Sequence, residues 1–114
     1  MIANRRRGEI AAEFDGKPYR LCLTLGALAE LEAVYAADDL GALVERFSRG
    51  RLSALDIIRV IGAGLRGGGS AISDDEVGAM QSANGAAGFA ATVAELLAAT
   101  FGAAEQAETP PKNP

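Results

Sequence analysis

Between Lys17 and Tyr35 the apolar positions change period. Tyr19, Leu21 and Leu23 alternate with Pro18, Arg20 and Cys22, the spacing of a strand. From Leu25 onward Leu28, Leu31 and Tyr35 fall on one face at helical spacing. Thr24 stands at the changeover, where its hydroxyl can cap the first free helix amides. Upstream, Ile10, Ala12 and Phe14 alternate with Glu9, Ala11 and Glu13 and predict a strand over 8–14. Asp15-Gly16 then reads as a two-residue type I′ turn, with positive φ at both positions. Turn and alternation agree on one register. Ile10 faces Leu21 and Ala12 faces Tyr19 on the apolar side; Ala11 faces Arg20 and Glu9 faces Cys22 on the other. Pro18, which cannot donate a ladder hydrogen bond, belongs near the turn or on an open edge.

Helical patterns fill the rest of the chain. The first helix is expected over 25–36. Asp38 or Asp39 can cap a second, in which Leu40, Leu43, Val44 and Phe47 form an apolar stripe and Gly50 marks the stop. Leu52-Ser53-Ala54-Leu55-Asp56-Ile57 carries a full start signal: Ser53 as cap, Asp56 at the third helical position, and Leu52 able to staple onto Ile57. This third helix turns Ile58, Ile61 and Leu65 inward and ends at Gly67-Gly68-Gly69. The same grammar recurs with Ser73, Glu76 and the Ile72–Val77 pair, starting a short helix that fades by Asn84-Gly85. A last helix over 86–101 lines up Phe89, Val93, Leu96, Leu97 and Phe101, with Gly102 closing it. The expected architecture is α+β: an N-terminal two-stranded antiparallel hairpin running into a bundle of about five short helices. Residues 8–102 form the domain, 1–7 a flexible basic arm, and 103–114, with three prolines, a disordered tail.

Composition narrows the function classes. With no histidine, Ser-His and Cys-His nucleophile systems and His-bearing zinc sites are excluded. Cys22 is the only cysteine, so no internal disulfide can form and a reducing, cytoplasmic setting fits. No 18-residue apolar run and no apolar stretch after Arg5–Arg7 point to a membrane or a leader. The net charge of −4 is unevenly spread. Arg46, Arg49, Arg51, Arg59 and Arg66 cluster centrally, whereas 67–111 holds no Lys or Arg but six acids. That is either a set of solvated faces or a bipolar surface for a protein partner.

The most tempting motif is Gly62-x-Gly64-x-x-Gly67. A dinucleotide site needs a strand before the glycines and a helix opening on them; here Ser53 makes the preceding run helical and more glycines follow. Close helix packing is the better reading, and no cofactor is expected. Asp74-Asp75-Glu76 lacks the spacing of a calcium loop and suits an acidic first helical turn, so no metal is expected either. A nucleic-acid regulator is a less favoured alternative, since the arginines come with no stacking platform or recognition helix, and an unrecognised enzyme is the least favoured class.

The ordered series Arg6-Arg7-Gly8-Glu9, RLCLTLGALAELE at Arg20–Glu32, RLSALDIIRVIGAGLRGGG at Arg51–Gly69 and SDDEV at Ser73–Val77 resembles the small tail proteins of bacterial gene transfer agents. Relatives of these occur in long-tailed phages, and some are labelled tail tube proteins. The resemblance spans about residues 5–102. It implies a non-catalytic tail assembly chaperone with the tape-measure protein and the tail tube protein as partners. Such a chaperone acts in the host cytoplasm and is absent from the mature particle; the alternative is a tube or connector subunit retained there. No nucleic acid, membrane or small-molecule ligand is implied, and self-association is left open. Physically, such a domain has two ways to bind a protein. The hairpin edge, at Glu9, Ala11, Glu13, Arg20 and Cys22, can accept an extended segment, or an apolar groove between Ala-rich helices can accept a helix.

Overall fold

The computed structural model describes residues 3–49 and 51–102. It is α+β: strands β1 (Glu9–Phe14) and β2 (Lys17–Cys22), then helices α1 (Leu25–Tyr35), α2 (Leu40–Ser48), α3 (Ala54–Gly67), α4 (Asp74–Gly78) and α5 (Gly85–Leu97). The hairpin register is the expected one, from Glu9 opposite Cys22 to Phe14 opposite Lys17. Asp15 and Gly16 take positive φ of 55° and 74°, as a type I′ turn requires. The turn is pinned from outside, because the Asp15 amide donates to the Gln81 carbonyl and the Gln81 amide donates to the Asp15 carboxylate.

Caps start most of the helices where the sequence places them. Thr24 accepts from the Ala27 amide, Asp39 from the Ala42 amide, and both Ser53 and Ser73 form reciprocal capping boxes, with Asp56 and Glu76. The boundaries differ in instructive places. Gly8 sits at φ 79°, outside the strand region, so β1 starts one residue later than expected. Ala36 adopts the left-handed conformation and terminates α1 instead of extending it. The short helix α4 ends at Gly78, well before Asn84. Beyond Leu97 the last helix loosens into one π turn over Ala98–Gly102. Arg5–Arg7, within the segment expected as a loose arm, form a 3-10 turn that donates the Arg7 and Glu9 amides to the Asn4 carbonyl. The Gly50 stop and the tail over 103–114 lie outside the described residues.

The core lies between the apolar face of the hairpin and the helices. Ile10, Phe14 and Leu21 meet Leu28 and Leu31 of α1, Val60, Ile61 and Leu65 of α3, and Val93 and Leu96 of α5. Phe14 stacks on Phe89 at 5.2 Å between ring centroids, tying β1 to α5. In α2, Leu43 and Phe47 are buried as expected, but Leu40 is 41% exposed. It is the first residue after the Asp39 cap, in the opening turn of the helix. The continuous helical stretch Gly85–Gly102 is, by length and composition alone, apolar enough to cross a membrane, with mean hydropathy 1.3. It is not an unbroken apolar run, because Gly88, Thr92, Glu95 and Thr100 interrupt it.

Arg66, in the last turn of α3, binds three neighbours. It pairs with Glu30 of α1, donates to the Ile72 carbonyl at 2.7 Å, and lies 3.1 Å from the Asp74 carboxylate. The Asp74 contact is a charge contact without hydrogen-bond alignment. A helix as short as α4 cannot hold itself, so it depends on this pairing and on buried Val77. Amide exchange in α4 is therefore expected to outpace that of Val60 and Ile61 in α3. The gap should widen as salt rises from ~0.05 M to ~1 M, since the ion pairs are partly exposed. Equal protection of the two helices at both salt levels would refute this.

Candidate functional site

The hairpin edge does not offer itself evenly. In a two-residue hairpin the residues flanking the turn bond to each other, so every second pair bonds across the ladder. Phe14–Lys17, Ala12–Tyr19 and Ile10–Leu21 are those pairs, which directs the backbone groups of Glu9, Ala11 and Glu13, and of Arg20 and Cys22, outward. On the β2 side the outward carbonyls are covered by the end of α3. A Cβ built on Gly67 would lie 2.0 Å from the Cys22 oxygen, and one built on Gly68 2.0 Å from the Arg20 oxygen. The Arg20 guanidinium reaches over and donates to the Gly68 carbonyl at 3.3 Å. Pro18 completes the closure by having no amide.

On the β1 side, Glu9 is already engaged: its amide donates to the Asn4 carbonyl and its carboxylate accepts from the Asn4 amide at 2.9 Å. Ala11 and Glu13 remain exposed, with no partner for their outward backbone groups among the described residues. The five residues expected at one edge thus divide. Arg20 and Cys22 lie on a sealed edge, Glu9 is tied to Asn4, and Ala11 and Glu13 form a short open step. Cys22 is half-buried, with its thiol 3.6 Å from the Arg7 carbonyl. Burial, reinforced by Glu9, raises the thiol above its usual range against the opposing pull of Arg7 and Arg20. It is a poor nucleophile by that measure.

The second expected mode has a clearer counterpart. Val44 and Phe47 of α2, Leu52, and Ala94, Leu97 and Phe101 of the last helix line an apolar groove of ≈ 350 Å³. The Gly62-x-Gly64-x-x-Gly67 motif lies wholly within α3 and serves packing. Gly62 faces Asp74, Gly64 faces Leu96 and Leu21, and Gly67 faces the β2 backbone. Among the described residues, no three acidic or cysteine side chains come together as a metal-binding group.

Residues 7–103 match the protein family described as phage tail tube protein, GTA-gp10. The chain belongs to that family. Comparison with curated proteins and with solved structures gives no match. In this tail tube family member, the cluster most like an active site is Asp56 with Tyr35, Arg46 and Arg59. Asp56 is 5% exposed and accepts from the Tyr35 hydroxyl at 2.5 Å, the Ser53 amide at 2.9 Å and Arg46 at 3.3 Å. Burial pushes its carboxyl up, but the hydrogen bonds from Tyr35 and Ser53 and the Arg46 charge outweigh it and hold the group below its usual range. Tyr35 is pushed up to about 12 by burial, then by the Asp56 hydrogen bond and charge. Arg46 and Arg59 lie over the Tyr35 ring at 4.5 and 5.5 Å. Asp56 Oδ2 caps the start of α3 through the Ser53 amide, while Oδ1 holds Tyr35 of α1 and Arg46 of α2, so the cluster joins α1, α2 and α3. The Asp56 cap was visible in sequence; its link to Tyr35, 21 positions away, was not.

Proposed function

We propose that this chain is a non-catalytic assembly protein of a phage-like tail, one that holds the tape-measure protein before tube subunits polymerise around it in the host cytoplasm. Membership of a tail protein family supplies the tail-related role. The observation that carries the finer reading is the state of the sheet edges. A wall built by joining sheets from neighbouring subunits needs each subunit to offer two complementary edges. Here β2 is sealed by Gly67 and Gly68, and β1 is open only at Ala11 and Glu13. The apolar groove favours a helical partner instead.

The retained tube subunit stands as the second reading because the family carries that description. Quantitative mass spectrometry of purified particles separates the two. The assembly role predicts copy numbers far below those of the tube subunit in finished particles. It also predicts co-purification of the tagged chain with the tape-measure protein from lysates taken before assembly. Stoichiometric retention in the particle would replace the assembly reading with the tube reading.

A further inference from the structure

We infer that the groove between α2 and the last helix receives an amphipathic helix carrying acidic residues beside one end of its apolar stripe. This deepens the assembly reading and rests on it for the identity of the natural partner, though not for the chemistry of the site. The groove walls come from two helices, and Ala94 between them lets a third backbone approach closely. Val44, Leu52, Leu97 and Phe101 are only partly buried, so an apolar stripe laid between them would remove further apolar surface from water.

Charge sets the flank. Arg49 and Arg51 lie in the chain between the lining residues Ser48 and Leu52, both exposed and without an ion-pair partner among the described residues. Arg46 is different, being held by Asp56 and Tyr35. Glu45 stands one helical turn before Arg49 on α2 and makes no ion pair with it among the described residues, so Arg49 and Arg51 supply the surplus positive charge at this end of the groove. In a chain of net charge −4, two unpaired arginines at the mouth of an apolar groove select an acidic neighbour.

Two synthetic helices of about three heptads test this, each with leucine along one stripe, one flanked by glutamate and the other by lysine. Fluorescence anisotropy against the full-length chain should show the acidic peptide binding about fivefold more tightly, the scale of two exposed ion pairs. Leu97→Glu should weaken its binding by at least about tenfold. The double change Arg49→Glu with Arg51→Glu, at exposed positions that cannot unfold the core, should reverse the preference between peptides. The proposal falls if neither peptide binds, or if that double variant keeps the original preference. It falls equally if the free chain dimerises in sedimentation through a contact that Leu97→Glu abolishes, since a second copy is then the occupant. Removal of residues 103–114 that creates binding absent from the full chain would make the chain's own terminus the occupant, and would also overturn it. Peptide binding without capture of the tape-measure protein keeps the groove and removes the assembly reading. Capture undiminished by Leu97→Glu keeps the assembly reading and removes the groove as the partner's seat.

Discussion

Replacing Gly68 with alanine is expected to destabilise the fold by about 3 kcal/mol, near the upper end of overpacking effects. The new methyl would lie 2.0 Å from the Arg20 oxygen, 2.7 Å from the Arg20 carbonyl carbon and 3.2 Å from the Leu21 Cα. All three are backbone atoms, so no side-chain rotation relieves the clash, and only separation of α3 from β2 does. Gly68 itself sits at φ −84°, a conformation that alanine adopts freely, so the effect comes from proximity and not from backbone strain. Gly67→Ala should behave alike, because its Cβ meets the Cys22 carbonyl. Against a total stability of about 5–15 kcal/mol, the loss should lower the melting temperature by roughly 15 °C. Gly26→Ala is the control. Its Cβ would find only the Thr24 hydroxyl at 3.9 Å, so its stability should stay within about 1 kcal/mol of the parent. Thermal and urea unfolding followed by circular dichroism measure both. A Gly68→Ala protein as stable as the parent would mean that the α3–β2 junction is looser than described.

Asp56→Ala is expected to cost about 3 kcal/mol, because it removes a helix cap and leaves the Tyr35 hydroxyl and Ser53 amide without their acceptor. Asp56→Asn keeps an acceptor oxygen for Tyr35 but loses the charge facing Arg46, and should recover roughly half of that loss. The pH dependence separates charge from packing. The Asp56 carboxyl is lowered in the folded state, so its contribution is complete above the ordinary value of 3.8 and is lost as pH falls through the folded value. Tyr35 has the opposite sign. Raised from 10.0 to about 12, it adds stability that is complete below pH 10 and lost as pH rises toward 12. In urea titrations across pH, Asp56→Asn should flatten the acid limb of the stability profile. An unchanged acid limb in that variant would show that other carboxylates carry it.

Local grammar made much of this fold legible. The Asp15-Gly16 turn and the period-2 alternation fixed one register, and a shift by one residue would have turned Ile10 and Leu21 outward. Ser53-x-x-Asp56 and Ser73-x-x-Glu76 announced their helices because a capping box involves only neighbours in sequence. What escaped depends on distant pairings. Gly67-Gly68 read as a run where a helix stops, yet their missing side chains are what let α3 cover a strand edge. For the candidate site, the outward residues of the hairpin were identified, but which of its edges lies open was not encoded locally. Similarly, Val44, Phe47, Leu97 and Phe101 were legible as apolar stripe members. Their meeting across one groove follows from how α1 and α3 space α2 from α5, which periodicity does not express.

The join between Arg20 and Gly68 also orders events in time. These residues are 48 positions apart, so the hairpin leaves the ribosome well before the segment that will cover it. At about 5–20 residues per second, the nascent β2 strand waits roughly 2–10 s with its outward carbonyls unprotected. During that interval the chain carries a complete hairpin, register and turn included, whose two edges are both available to a neighbouring chain. The glycine pair that ends α3 therefore also ends the most association-prone stage in the life of this protein.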